Sequence, residues 1–330
     1  FAHGSSEYRR IRNSVRPLGA RGISVPADQP GSCVAGADRL AGARIAIIWS
    51  RLGPYHLARA SAASAKLRSF GASLELAEVC GRDNYAWETD LMVRPPWSRT
   101  LFPGGEYDSI HGRRIAAAVH NWLDLIQADV VVVNGWAVQE ARSALRWVKG
   151  HPNRRGVIMS ETKFDESPRW FWKEWIKRRI VSRANAGLVG GAPHVDYLQS
   201  LGIPRERIFL GYNSVDNEYF ANAAVAWRKQ RLCEPDGPES PFFFASARFI
   251  ARKNLHGLLR AYARYRRLAA ELGAPPWPLV IAGSGEEEGA LRALCSQLAL
   301  DPFVHWPGFV QYEELPRWYG GAGAFIHPAI

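Results

Sequence analysis

The chain has 330 residues, 47% of them hydrophobic, with a formal net charge of +11 and an isoelectric point near 9.7. That length suits about two domains of roughly 150 residues each, and the composition excludes a disordered or fibrous chain. The basic balance asks for an anionic partner: nucleotide, phosphorylated lipid, membrane surface or nucleic acid. The first 42 residues, rich in Arg, Gly, Ala and Pro, show no period. They read as a disordered extension or a fragment artefact.

From Ala43 a regular rhythm begins. "ARIAIIWS" is a buried strand, "YHLARASAASAKLRSFG" a helix ending at Gly71, and "SLELAEV" a second strand. Residues 82 to 108 carry Trp87, Pro95, Pro96, Trp97, Pro103, Gly104 and Gly105 and read as a long loop. Helix and strand then alternate: a helix to Gln127, "ADVVVVN", a helix over 137–150, "RGVIMS", a helix over 169–183, "AGLVGG", "APHVDYLQSLG" and "RIFLGY". Residues 221–240 end in Pro, Asp, Gly and Ser and read as a linker. A second series follows: "FFFASA", a helix over 254–272, "PLVIAG", a helix over 286–299, "FVHWPG", a helix near 312–320, and "GAFIHP". The expected fold is α/β: two Rossmann-like, doubly wound domains, 43–220 and 241–330, the second incomplete at about four strands.

Cys33, Cys80, Cys233 and Cys295 lie far apart with no Cys-x-x-Cys pair. They fit reduced thiols in a cytoplasmic protein better than a zinc site or a disulfide scaffold. No apolar run approaches the roughly 18 residues of a membrane-spanning helix. No recognition helix, zinc finger or RNA-binding aromatic motif supports a nucleic-acid partner.

Open parallel sheets bind ligands at the carboxyl ends of their strands. In the second domain these ends carry Arg248, the turn Gly283-Ser284-Gly285, Trp306 to Phe309, and His327-Pro328. Seven Arg or Lys residues and no carboxylate lie between Arg248 and Arg267. Arg248 at the strand end and Lys253 at the helix entry are placed to grip a diphosphate, Arg as a fork and Lys as a point charge. Arg260, Arg264, Arg266 and Arg267 read as a solvated helix face. Gly283 and Gly285 would let backbone N–H groups approach a phosphate, or would merely turn the chain.

The stretches "ARFIARKNLHGLLRAY", "PLVIAGSGEEEGALRAL" and "VHWPGFVQYEELPRWYGGAGAFIHPA" resemble the donor half of the family 4 retaining glycosyltransferases, of the GT-B fold. "GYNSVDNEYF" resembles the family's Asn-Gly-Val-Asp…Phe junction, with Ser214 in place of the usual Gly. The resemblance implies two facing domains and transfer of a sugar from a UDP- or GDP-sugar donor to the hydroxyl of a glycan or lipid-linked acceptor. It also implies that the donor's own phosphate helps deprotonate the acceptor, so no Ser-His-Asp triad is needed. Arg248 and Lys253 would carry the catalytic charge stabilisation. Gly283, Ser284, Gly285, Phe309, Val310 and His327 would be donor-side residues. No Asp-x-Asp motif occurs, which implies a donor site without a metal, and no cofactor is expected.

On the acceptor side Gly53, Tyr55 and His56 follow the first strand where the family has its acceptor loop, and would shape that pocket or merely turn the chain into the helix; Asn134 and Trp136 stand where the family often has a His. Glu161 and Asp165 follow another strand and are placed to contact acceptor hydroxyls, or only to cap the loop and pair at the surface. The family's glutamate pair after His-Pro falls beyond Ile330, which leaves a second expectation open: a non-catalytic, nucleotide-binding GT-B module. Finally, "RWFWKEWIKRRIVSR" (169–183) combines aromatic and basic residues at helical spacing. The commoner fate of such a helix is to pack its aromatic stripe into its own domain. The alternative is a peripheral position on an anionic membrane at its inner face.

Overall fold

Strands that are apolar on both faces and separated by helices assemble side by side in parallel, with helices covering the sheet. The computed structural model describes residues 40–82, 87, 94–166, 168–231 and 241–330 and contains two such sheets. The expected extension, apart from its last three residues, lies outside the described residues. The first sheet holds β1 (Arg44–Trp49), β2 (Ser73–Arg82), β3 (Ser98–Glu106), β4 (Val130–Asn134), β5 (Arg155–Ser160), β6 (Ala186–Val189) and β7 (Ile208–Leu210). Its order is β3-β2-β1-β4-β5-β6-β7, parallel throughout. The second holds β8 (Phe243–Ser246), β9 (Leu279–Ala282), β10 (Val304–Gly308) and β11 (Ala324–Phe325), in the order β10-β9-β8-β11. Both sheets belong to one unit, Gly42–Ile330.

The helices that cover the first sheet are α1 (Pro54–Arg68), α2 (Gly112–Ile126), α3 (Gln139–Gly150), α4 (Phe171–Val181) and α5 (Ala192–Ser200). In α2 the apolar residues Ile115, Val119, Trp122 and Leu123 recur at helical spacing, and all four are buried. They join Val131, Val133, Leu145 and Ile158 in the larger core. After α6 (Asn217–Arg231) come α7 (Leu255–Glu271), α8 (Glu288–Gln297) and α9 (Leu315–Gly321) around the second sheet. There Leu255, Leu258, Leu259 and Tyr262 of α7 meet Leu279 and Ile281 of β9.

Three expectations are corrected. The loop over 82–108 contains strand β3, which pairs in parallel with β2 and shifts register between Cys80 and Arg82. Pro103 and the two glycines are tolerated because β3 is the edge of its sheet, where a missing donor and a bulge cost little. Residues 83–86 and 88–93 of that loop lie outside the described residues.

The linker over 221–240 begins as helix α6, with Asp216 accepting from the Tyr219 N–H at 2.9 Å at its start. It packs on α9: Arg228 donates to the Gly320 carbonyl at 2.5 Å, and Gly320 and Gly321 make room for Ala224 and Trp227. Its helix-forming Ala, Arg, Lys and Gln residues outweigh the turn-rich end of the segment. Residues 232–240 lie outside the described residues.

Third, α4 does not pack its aromatic stripe inward. Val181 is its buried residue, while Phe171, Trp172, Trp175 and Ile176 are exposed. Its inward face is polar. Tyr197, fully buried, donates its hydroxyl to Glu174 at 2.8 Å and accepts from Lys177 at 3.0 Å and Arg169 at 2.8 Å.

Candidate functional site

Chain order reverses on either side of β1, between β2 and β4, so loops diverge there and leave a crevice at the strand ends. Past β1 the chain runs through Ser50, Arg51, Leu52 and Gly53 into α1. Two buried carboxylates fix this turn. Glu78 accepts from the Leu52 N–H at 2.8 Å and from the Thr100 hydroxyl at 2.6 Å, and it pairs with Arg94. Glu140 accepts from the Ser50 hydroxyl and, at 2.7 Å, from the Tyr107 hydroxyl. Burial and the Glu140 carboxylate hold the Tyr107 phenol far above its ordinary range.

The loop ends of the second sheet face this turn across a cleft of about 680 Å³. Of the residues expected on the acceptor side, Gly53, Tyr55, His56, Asn134 and Glu161 line it. Of those expected on the donor side, Arg248, Gly283, Ser284, Gly285, Phe309 and Val310 line the same cleft.

Four expected residues are elsewhere. Lys253 closes a single turn, Ala251–Lys253, ahead of α7 and does not line the cleft. His327 is exposed, with its ring near Phe325. Trp136 is buried in the first core, 6.1 Å from Tyr197. Asp165, in the short turn Phe164–Glu166, is an exposed partner of Lys163 at 3.1 Å.

The glycine turn has a specific steric reason. A Cβ on Gly283 would stand 1.9 Å from the Ala247 carbonyl oxygen, and one on Gly285 would stand 2.6 Å from the Phe249 carbonyl oxygen. Both residues let the β9 loop lie directly against the β8 loop that carries Arg248. The Gly283 N–H donates to the Gly308 carbonyl at 2.8 Å, and the Phe249 N–H donates to Ser284 at 2.9 Å. The expected phosphate-facing role for the Gly283 N–H is therefore replaced by a loop-to-loop bond.

On the opposite wall, His56 Nδ1 accepts from the Gly53 N–H at 3.0 Å, and its ring lies 4.8 Å from Trp49. Burial, with Arg59 nearby, pushes its pKa down to about 4. The imidazole is thus neutral near pH 7, with its proton on Nε2. Aromatic rings close the base of the cleft and join its two sides: Trp87 meets Phe309 edge-on at 4.7 Å, and Tyr55 meets Tyr312 edge-on at 4.9 Å. Burial, reinforced by neighbouring tyrosines, lifts Tyr55 to about 12.

Sequence reasoning missed several lining residues. Arg59 donates to Asn213 at 2.6 Å, and the Asn213 amide donates to Glu161, so a cation and a carboxylate are tied through one amide. Arg59 follows Tyr55 by four residues and so shares its helix face, a signal that was present. Asn213 lies inside the "GYNSVDNEYF" motif and holds a left-handed φ of 66°. Arg51 donates to the Trp87 carbonyl at 2.9 Å. Three arginines (51, 59 and 248) and one carboxylate (Glu161) therefore stand among the described residues of the cleft, which favours an anionic ligand.

Solved structures share this arrangement of two sheets. UDP-GlcNAc 2-epimerase from Methanocaldococcus jannaschii aligns with TM-score 0.57 and 12% identity over 86% of this chain and 77% of its own. Anabaena HepE, solved with UDP and glucose, aligns with TM-score 0.57 and 14% identity, over 87% and 74%. The lipopolysaccharide outer core galactosyltransferase WaaB aligns with TM-score 0.53 and 16% identity, over 86% and 73%. The fold is GT-B. At these identities the likeness concerns the fold alone, which transferases and epimerases share. Residues 230–330 match the family model "Glycosyl transferases group 1". That segment carries Arg248, the glycine turn and Phe309. No curated protein matches the chain.

Proposed function

We propose that this chain is a glycosyltransferase that moves a sugar from a nucleoside diphosphate donor to an acceptor hydroxyl in the GT-B cleft, with retention at the sugar's anomeric carbon. The observation that carries the reading is the convergence of Arg248 with Arg51 and Arg59 on one aromatic-floored cleft, inside and opposite the segment that matches the group 1 family model. In the proposed reaction the bond from anomeric carbon to phosphate oxygen breaks and the bond from anomeric carbon to acceptor oxygen forms. The acceptor proton passes to a donor phosphate oxygen, and the nucleoside diphosphate leaves.

Arg248 supplies positive charge where the leaving diphosphate gains negative charge. Lys253 adds long-range charge from outside the cleft. The strip around Phe309 and Val310 meets the base. Glu161, held by Asn213, and neutral His56, offering its Nε2–H, meet acceptor hydroxyls. The acceptor is read as a glycan or lipid-linked hydroxyl, and the donor as a UDP- or GDP-sugar held without a metal.

A second reading, a GT-B module that binds nucleotide without turnover, is favoured by one observation: Glu161 is already committed to Asn213. Incubation with UDP- and GDP-sugars separates the two readings. The first expects nucleoside diphosphate release that rises when acceptor is supplied. Binding without release supports the module, and no binding of either nucleotide overturns both.

A further inference from the structure

Helix α4 is built with its usual polarity reversed. Its inward side carries Glu174 and Lys177, which bond each other at 2.7 Å and both bond the Tyr197 hydroxyl. Arg169, just ahead of the helix, lies over the Tyr197 ring at 4.3 Å. These polar bonds, with Val181 and half-buried Ile180, hold the helix to the first sheet's core. Docking thus uses none of the helix's aromatic side chains. Phe171 is 87% exposed, Trp175 59%, Trp170 56% and Trp172 48%, with Ile176 beside them. Contiguous exposed aromatics of this size on one element mark an interaction face.

The charge on this face identifies the occupant. Lys173, Arg178 and Arg179 are exposed on the same helix, Lys173 over the Trp172 ring at 5.2 Å and Arg179 over the Trp175 ring at 5.3 Å. From Arg169 to Arg183 six cations accompany a single carboxylate, Glu174, which is turned inward. Tryptophan beside Lys and Arg suits the boundary between acyl chains and headgroups, where ring and cation are both satisfied. A second copy of this chain would bring an equally basic helix against it, which Coulomb repulsion disfavours.

We infer that the outer face of α4 docks on an anionic lipid surface, with Phe171, Trp172 and Trp175 entering the headgroup boundary and Lys173, Arg178 and Arg179 meeting lipid phosphates. This inference stands apart from the reaction proposed for the cleft.

The test is co-flotation of the full chain with vesicles of phosphatidylglycerol and phosphatidylcholine, compared with vesicles of phosphatidylcholine alone. The expected result is binding to the anionic vesicles, weakened by salt. Phe171→Ser/Trp175→Ser and Lys173→Glu/Arg179→Glu should each lose about tenfold or more, with the thermal midpoint retained because the replaced side chains are exposed. Arg264→Glu/Arg267→Glu makes the same change in net charge on α7 and should retain wild-type binding.

A wild-type chain that stays with the soluble fraction overturns the inference. So does equal loss in the α7 control, which would show diffuse charge rather than a docking face. A wild-type dimer that Phe171→Ser/Trp175→Ser converts to monomer, without vesicle binding, assigns the face to a second copy instead. UDP and GDP affinity of the α4 variants should match wild type, so failure of the nucleotide reading is seen separately.

Discussion

Gly283 and Ala247 are so close that the absent side chain of one is the space occupied by the carbonyl of the other. A Cβ on Gly283, at φ 136°, would stand 1.9 Å from the Ala247 oxygen. Arg248 follows Ala247 directly, so the position of the cleft's donor-side cation depends on this contact. Gly283→Ala should therefore destabilise the fold by about 1–3 kcal/mol through overpacking and weaken nucleotide binding as the Arg248 loop shifts. Urea unfolding and UDP titration on the same variant check both. Wild-type stability would show that the loops yield without cost.

Glu78 organises the turn on the other wall. It is fully buried and gathers Arg94, the Thr100 hydroxyl and the Leu52 N–H. Glu78→Ala should cost about 3–5 kcal/mol, because it leaves a partly buried guanidinium and a buried N–H unpaired. Glu78→Gln, which keeps the shape and one acceptor, should cost less. Denaturant melts of the two variants give the comparison.

His56 makes stability depend on pH in a defined window. Its pKa is lowered from the ordinary 6.5 to about 4 in the folded chain. Between those values the unfolded chain binds the proton and the folded chain does not, so acidification favours unfolding. The contribution is constant above about pH 6.5 and is lost as pH falls toward 4, by on the order of 3 kcal/mol. The measurement is the unfolding free energy of wild type and His56→Gln from pH 7 to pH 4. The wild-type curve should fall more steeply, and parallel curves would contradict the burial argument.

The alternation of apolar runs and helical patterns made both sheets legible, because a parallel strand buried on two faces leaves an unbroken apolar signature. Strand β3 was hidden by Pro103, Gly104 and Gly105, whose turn preference matters less at a sheet edge. The reversed polarity of α4 was hidden because its anchor, Tyr197, lies on another helix. The cleft was legible where strand ends carried charge, as at Arg248, and, through its i+4 spacing from Tyr55, at Arg59; it was illegible where a left-handed turn delivered an amide, as at Asn213. Lys253 and His327 stand near strand ends in sequence, yet the turn before α7 and the exposed segment after β11 leave them outside the cleft. Side-chain direction at such junctions is set by local dihedrals that spacing does not encode.

The most direct measurement is isothermal titration of UDP and GDP into wild type, Arg248→Ala, Lys253→Ala and Arg264→Ala. Wild type should bind at least one nucleotide with millimolar or tighter affinity. Arg248→Ala should weaken it by about 1.5–3 kcal/mol, the worth of a charge-assisted hydrogen bond. Lys253→Ala should weaken it by less, since Lys253 does not line the cleft, and Arg264→Ala should leave it unchanged. Absence of binding to both nucleotides, or equal loss in Arg248→Ala and Arg264→Ala, would contradict the claim that this cleft holds a nucleoside diphosphate.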